Sequence, residues 1–186
     1  MTFHKLLIAN RGEIACRIIK TAHEMGISCV AVYTEADTYS PFVRMADQSI
    51  KLSDSYLNGD EIINAAKQTG AEAIHPGYGF LSENAKFARA VQREGLIWVG
   101  PNSRVITSMG DKLKAKDIAE KAGVPTLPMT TDPKKASTIG YPILIKAAAG
   151  GGGKGMRIVE DKKDLKEAIT GAQREAKTCL LYTSDA

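Results

Sequence analysis

Residues 5–33 read KLLIANRGEIACRIIKTAHEMGISCVAVY, and this stretch decides the fold. A short apolar run at 5–9 is followed by Asn-Arg-Gly at 10–12, a combination typical of a turn. Apolar residues then recur at helical spacing up to Gly26, and a β-branched run occupies 27–33. The stretch therefore predicts a strand, a turn, a helix and a second strand.

The same alternation of strand and helix continues outward from this stretch. Further strands are predicted at 48–52, 71–75 and 97–99, and further helices at 60–69 and after Asn84. The residues at 34–42 form an acidic loop that contains proline. Repeated short units of this kind predict an α/β fold in which helices cover a mainly parallel, Rossmann-like sheet.

The pattern changes near residue 110, where we expect a domain boundary. A charged helix is predicted at 111–121, then an extended connector, an antiparallel hairpin with strands ending at Lys146 and spanning 155–159, and a helix at 164–177. The predicted domains are therefore 1–110, which holds the parallel sheet, and 111–177, which holds the hairpin and its long glycine loop.

Composition and charge exclude several classes of protein. The 186 residues include 25 basic and 21 acidic ones, a formal net charge of +4, and the two signs are interspersed, so no nucleic-acid partner is predicted. No apolar run approaches the roughly 18 residues of a membrane-spanning helix, and a signal-peptide pattern is absent, so we expect a cytoplasmic protein without a membrane partner. Cys16, Cys29 and Cys179 show no metal-ligand spacing and are expected to be buried, reduced thiols.

The glycine-rich loop is the sharpest local feature of the sequence. It consists of Gly150, Gly151, Gly152, Gly153, Lys154 and Gly155. Backbone without side chains can approach a polyanion closely, and Lys154 would add a counter-charge, so the loop predicts a phosphate site. A flexible surface turn is the alternative, and it stays open on composition alone. Lys112 and Lys146 favour the phosphate site, because two more ammonium groups could converge there.

Two common nucleotide motifs are absent. The glycine loop lacks the Ser or Thr that follows the lysine of a Walker A motif. The turn after the first strand has the single glycine Gly12 and so lacks the dinucleotide fingerprint. Binding of NAD at this turn is therefore not expected.

Other polar residues have a structural interpretation that we favour. His75 ends a predicted strand, where a substrate-facing role is conceivable, but a buried and hydrogen-bonded structural histidine is favoured. Glu13 and Arg17 lie one helical turn apart and are expected to form a solvated pair. Glu35 and Asp37 follow the second strand, where a ribose-binding acid could lie, but without the glycine fingerprint they are interpreted as loop acids.

Four motifs, in order, carry a resemblance to a known family. They are IANRGEIA at 8–15, HPGYGFLSEN at 75–84, MGDK at 109–112 and the glycine loop with Met156 at 150–156. The chain resembles, from about residue 3 to 177, the N-terminal part of biotin carboxylase, the ATP-grasp component of acetyl-CoA, propionyl-CoA, methylcrotonyl-CoA and pyruvate carboxylases. The resemblance implies a Rossmann-like domain followed by the incomplete start of an ATP-grasp domain.

The resemblance also implies an activity, that of a ligase. In this family ATP activates bicarbonate as carboxyphosphate, and the carboxyl group is transferred to biotin on a carrier protein. By resemblance, Lys112 and Lys146 contact the ATP phosphates or the adenine side, Gly150–Gly155 form a lid over the triphosphate, and Met156 lies near adenine. Lys154 stands where other members have arginine, which keeps the charge but loses the planar fork.

The family's remaining functional residues are expected beyond residue 186. They include the glutamates that bind Mg²⁺, the bicarbonate-binding arginine and the base, so this chain is expected to contain no catalytic or metal-binding residue and to be inactive alone. Residues 178–186 depart from the family pattern and are interpreted as a foreign tail.

The resemblance implies partners as well. They are a biotin carboxyl carrier, a carboxyltransferase and a second copy of the chain, whose dimer surface would include Lys20 and Glu24. The alternative to an enzyme is a stand-alone nucleotide-binding or interaction module without catalysis. Other ATP-grasp ligases rank third, because they lack the motifs at 10–15 and 75–84.

Overall fold

A computed structural model describes residues 2–146 and 156–183, with side chains up to residue 175. The strands are β1 Lys5–Ile8, β2 Ser28–Tyr33, β3 Gln48–Lys51, β4 Ala73–His75, β5 Ile97–Trp98, β6 Ile143–Ile145 and β7 Arg157–Val159. The helices are α1 Gly12–Glu24, α2 Pro41–Met45, α3 Gly59–Thr69, α4 Ala85–Arg93, α5 Ser103–Gly110, α6 Lys112–Lys121 and α7 Leu165–Thr183. Short 3₁₀ turns lie at Glu35–Asp37, Pro133–Thr138 and Lys162–Asp164. The glycine loop, Gly150 to Gly155, lies outside the described residues.

The first five strands form one parallel sheet in the order β3-β2-β1-β4-β5. This confirms the predicted α/β fold with a Rossmann-like sheet. The chain builds outward from β1 to β3 on one side and then returns to add β4 and β5 on the other. The order therefore reverses between β1 and β4, and ligands of open α/β sheets bind at the carboxyl ends of strands at such a reversal.

Both faces of this sheet are buried. In β1, Leu7 packs in one apolar cluster with Ile62, Ile74 and Val91, whereas Ile8 packs in a second cluster with Ile19. Successive side chains of a strand point to opposite faces, so a continuous apolar run such as 6–9 supplies both clusters at once. Helices α3 and α4 cover the first face, and α1 covers the second.

Two helices in this part of the chain were not predicted. Helix α2 is five residues long, begins at Pro41 and buries Phe42, and so short a segment has no measurable period. Helix α5 begins where the Asn102 side chain accepts hydrogen bonds from the backbone N–H groups of Arg104 and Val105. Because α5 buries only Ser103 and Ile106, its apolar pattern is weak.

The chain separates into two compact units, residues 1–115 and 116–186. The second unit contains β6 and β7, which pair antiparallel with Leu144 opposite Ile158, as the predicted hairpin requires. Helix α7 continues past Lys177, where the sequence pattern predicted its end. The predicted domain limits, 1–110 and 111–177, and the foreign tail at 178–186 stay predictions.

Burial is much sparser in the second unit. Its buried apolar side chains, among the described residues, are Ala136, Val159 and Ala172, whereas Leu144 and Ile158 are exposed. Among residues 2–146 and 156–183, none of the helices combines the length and the apolar character that crossing a bilayer requires.

We expect this difference in burial to appear in amide hydrogen exchange. Amides of β1, β2 and β4 should exchange at least about tenfold more slowly than those of β6 and β7, because opening the two-stranded hairpin exposes far less apolar surface. Hydrogen exchange followed by mass spectrometry compares both sets in one sample. Equal protection of the two sets would contradict the expectation.

Candidate functional site

Asn10 joins two strands at the carboxyl edge of the parallel sheet. It follows β1 directly and is 2% exposed. Its side-chain Nδ2 donates to the carbonyl oxygens of Pro76 at 2.7 Å and Tyr78 at 2.8 Å, in the loop after β4. Its Oδ1 accepts from the backbone N–H of Arg11 at 2.9 Å. The first two sequence motifs, which are separated by some sixty residues, are therefore connected by one buried side chain.

Gly77 completes this connection for two separate reasons. Its backbone has a φ of +64°, in the region that side chains rarely adopt. A Cβ atom at this position would also lie 2.7 Å from Asn10 Nδ2. Glycine is therefore required both by the turn and by the close approach of Asn10.

A buried carboxylate lies at the same edge, after β2. Asp37 is 3% exposed and receives two hydrogen bonds of 2.6 Å from the guanidinium of Arg11. It also accepts from Tyr56 Oη at 2.7 Å and from Ser40 Oγ at 3.0 Å. The hydrogen bonds from Arg11 are the main reason that the pKa of Asp37 falls to about 2, although burial acts in the opposite direction. Burial, followed by the bond to Asp37, raises the pKa of Tyr56 to about 12.

Both acids lie in the turn after β2, as the sequence interpretation has it, but their surroundings differ. Glu35 is exposed and pairs with Lys51, whereas Asp37 is buried among internal partners. A signal for the Asp37 pair existed in the sequence: Arg11 and Asp37 follow neighbouring parallel strands, and the carboxyl ends of such strands meet at one edge. No sequence pattern predicted that Tyr56 contacts Asp37, because Tyr56 lies in the loop between β3 and α3, whose path is set by tertiary packing.

His75 is half-buried and hydrogen-bonded, which agrees with the structural role favoured from the sequence. Its Nδ1 accepts the backbone N–H of Gly77 at 3.0 Å. Burial, and then the charge of Arg17, lowers the pKa of His75 below its usual 6.5. The expected pair of Glu13 with Arg17 is replaced by a hydrogen bond that the Tyr78 hydroxyl donates to Glu13. The loop after β4 is thereby tied to α1 as well as to β1.

The predicted ATP-binding residues lie in different parts of the chain. Lys112 is the first residue of α6 and is exposed. Ile145 pairs with Arg157 at one end of the hairpin. Lys146 follows Ile145 and Met156 precedes Arg157, so both residues lie at this end of β6 and β7. Both are exposed. Lys154 and the glycines of the loop lie outside the described residues, so their contacts with phosphate stay a prediction.

A parallel sheet whose strand order reverses between β1 and β4 defines an α/β protein of the Rossmann-like class. Comparison with family models narrows this class. Residues 2–106 match the model described as biotin carboxylase, N-terminal domain, and residues 111–184 match that of the carbamoyl-phosphate synthase L chain, ATP binding domain. The chain belongs to the biotin carboxylase family. The second match extends past Lys177, into the segment interpreted as a foreign tail.

Curated relatives agree with this assignment. The chain is 54% identical over 185 residues to the mitochondrial methylcrotonoyl-CoA carboxylase subunit alpha of Dictyostelium discoideum, covering 92% of this chain and 26% of the relative. It is 49% identical over 187 residues to the propionyl-CoA carboxylase alpha chain of Ruegeria pomeroyi, covering 94% of this chain and 28% of the relative. The chain therefore spans about a quarter of the length of these relatives.

Solved structures share the fold. A biotin carboxylase from Campylobacter jejuni, in complex with beta-gamma-ATP, is 44% identical with a TM-score of 0.89, over 96% of this chain and 43% of that one. The biotin carboxylase domain dimer of the Hydrogenobacter thermophilus 2-oxoglutarate carboxylase, in complex with MgADP, ADP and bicarbonate, is 44% identical with a TM-score of 0.87. That match covers 95% of this chain and 42% of the other.

Replacing Asn10 tests the connection between β1 and the loop after β4. We expect Asn10→Ala to lower the free energy of unfolding by about 2 kcal/mol, because two carbonyl oxygens lose their buried donor. Chemical denaturation measures this change. The matched control is Asn64→Ala, at an exposed position of α3, which should change the free energy by less than about 0.5 kcal/mol. Equal effects of the two substitutions would contradict the assigned role.

Replacing Asp37 tests the buried carboxylate and gives a pH dependence. Since the pKa of Asp37 is lowered from 3.8 to about 2, its ionised form stabilises the fold above about pH 4, and this contribution is lost as pH falls toward 2. We expect Asp37→Asn to cost about 2 kcal/mol at pH 7 and progressively less below pH 4. The exposed Asp54→Asn serves as control. A cost that stays constant over this pH range would contradict the ionised state.

Proposed function

We propose that this chain forms the ATP-binding amino-terminal part of an enzyme that carboxylates biotin with bicarbonate at the expense of ATP. The observation that carries the proposal is the joining of the motifs at 8–15 and 75–84 through Asn10, in a chain whose family matches cover 2–106 and 111–184. The solved relatives with MgADP and bicarbonate, or with beta-gamma-ATP, support the same substrates here.

We assign phosphate or adenine contacts to Lys112 and Lys146, and the covering of the triphosphate to Gly150–Gly155 with Lys154. The chemistry of these residues fits the ligand, because exposed ammonium groups neutralise phosphate oxygens. The apolar side chain of Met156, beside the same end of the hairpin as Lys146, suits the adenine ring. When bound, Mg²⁺ supplies further charge neutralisation at the phosphates. We propose that the Mg²⁺ ligands are residues other than those assigned here.

The proposed domains are 1–110 for the Rossmann-like domain and 111–177 for the beginning of the ATP-grasp domain. We propose a biotin carboxyl carrier and a carboxyltransferase as partners, since the relatives are alpha subunits of CoA carboxylases. A homodimer through α1, including the exposed Lys20 and Glu24, is proposed from the dimeric relative. A cytoplasmic location is proposed from the sequence pattern alone.

The lysine assignments are tested by nucleotide binding to the chain itself. We expect Lys112→Gln and Lys146→Gln each to weaken ATP binding at least about fivefold, because each removes a charge-assisted hydrogen bond to phosphate. Displacement of a fluorescent ATP analogue measures the dissociation constant. The control is Lys134→Gln, at an exposed lysine outside the assigned site, which should leave the constant unchanged. If all three variants bind alike, the assignments fail.

The activity requires the product of the complete reading frame that contains these residues. Phosphate release from ATP that depends on both bicarbonate and free biotin supports the proposal, and Lys146→Gln should reduce it. ATP binding without any biotin-dependent turnover would instead favour a nucleotide-binding module without catalysis.

A further inference from the structure

A second cluster of polar side chains lies at the opposite edge of the parallel sheet. His23 is in the last turn of α1, Cys29 is the second residue of β2, and Asp47 immediately precedes β3. All three are therefore at the amino ends of the strands, whereas Asn10 and Asp37 are at the carboxyl ends. The residues are far enough apart in sequence that no ligand spacing was visible.

The donor atoms of this cluster are close together. His23 Nε2 lies 3.0 Å from Asp47 Oδ2, and the same oxygen accepts the backbone N–H of Cys29 at 2.7 Å. One nitrogen, one sulfur and one oxygen donor all lie within 4.8 Å of one another. Pairs of ligands around a tetrahedral zinc ion are about 3.5 Å apart, so only small side-chain movements separate the cluster from a coordinating arrangement.

Two members of the cluster are exposed to solvent and the third is buried. The imidazole of His23 and the carboxylate of Asp47 are 40% and 49% exposed, while Cys29 is fully buried. An ion could therefore enter from solvent past two exposed ligands and reach a sulfur at the edge of the core. The buried thiolate would then be shielded from oxidants.

Hydrogen bonds satisfy Asp47 and His23, whereas the Cys29 thiol takes part only as a weak donor. Asp47 is satisfied by the Cys29 N–H and by His23, and the first of these bonds is the main reason that its pKa is lowered. The Cys29 sulfur is a long-range donor, at 3.7 Å from the carbonyl oxygen of Ile27 and 4.0 Å from that of Ile19. Its lone pairs are therefore not committed to a hydrogen bond donor that the structure describes.

We propose that His23, Cys29 and Asp47 form a binding site for a borderline-soft divalent cation, with Zn²⁺ as the best match. Mixed sulfur, nitrogen and oxygen donors suit Zn²⁺, and three protein ligands leave the fourth position to water. On binding, the Cys29 thiol transfers its proton to solvent and the sulfur bonds to the metal. The ion would connect α1, β2 and β3 and so stabilise the Rossmann-like domain, at the edge opposite to Asn10.

Cobalt titration of the chain tests the site, because thiolate ligation of Co²⁺ produces a charge-transfer absorption that histidine and carboxylate ligands do not. We expect this absorption at one equivalent of Co²⁺ and its displacement by Zn²⁺. It should persist in the double variant Cys16→Ser/Cys179→Ser, in which Cys29 is the remaining cysteine. Loss of the absorption in that double variant, or its absence from the unchanged chain, overturns the proposal.

Replacing His23 removes one exposed ligand of the proposed site and leaves the core intact. His23→Gln should weaken Zn²⁺ binding at least about tenfold and reduce the rise in melting temperature that Zn²⁺ gives the unchanged chain. The matched control is His4→Gln, at an exposed histidine outside the cluster. Equal Zn²⁺ affinity in the His23 and His4 variants would show that the cluster is held by hydrogen bonds alone.

Discussion

The hydrogen bonds of Asn10 are the interaction on which the carboxyl edge of the sheet depends. Strands β1 and β4 are neighbours in the sheet but distant in sequence, and their pairing ends at Ile8 and His75. Beyond that point the backbone of the loop after β4 has no strand to pair with. The buried amide of Asn10 supplies the missing donors to two carbonyl oxygens, and it does so at the place where the strand order reverses.

The loop after β4 is consequently fixed from several sides. Gly77 donates to His75, and Tyr78 donates to Glu13 on α1. On the other side of β1, the pair of Arg11 and Asp37 ties the end of β1 to the turn after β2. Each link is a local contact, but together they connect the ends of β2, β1 and β4, which are neighbours in the sheet. This explains physically why polar residues cluster in the motifs at 8–15 and 75–84.

The fold could be predicted from the sequence wherever burial imposed a period. The apolar run at 5–9 supplies both faces of the sheet, and the spacing of apolar residues in α1 shows which side of that helix is buried. The parallel sheet and its longer helices could therefore be predicted. Helices α2 and α5 were not, since one is five residues long and the other buries only two side chains. At the site, the motif residues could be identified from the sequence, and the nearness of Arg11 to Asp37 could have been inferred from their neighbouring strands, but the complete Asp37 cluster could not. Its four members come from three segments, since Asp37 and Ser40 share the loop after β2, and only the folded chain brings Tyr56 to Asp37.

The polar groups at the carboxyl edge of the sheet are hydrogen-bonded to each other, and this affects where a nucleotide can bind. In dinucleotide-binding Rossmann folds the turn after the first strand keeps its backbone free, through glycines, to receive a pyrophosphate. Here that turn contains Arg11, whose guanidinium is engaged with two oxygens of Asp37, so its charge is already neutralised within the protein. Cationic groups for a triphosphate must then come from outside the turn, which is consistent with the assignment of Lys112 and Lys146. The commitment of Arg11 to Asp37 therefore supports the proposal that Lys112, Lys146 and the glycine loop, and not the turn after β1, bind the phosphates.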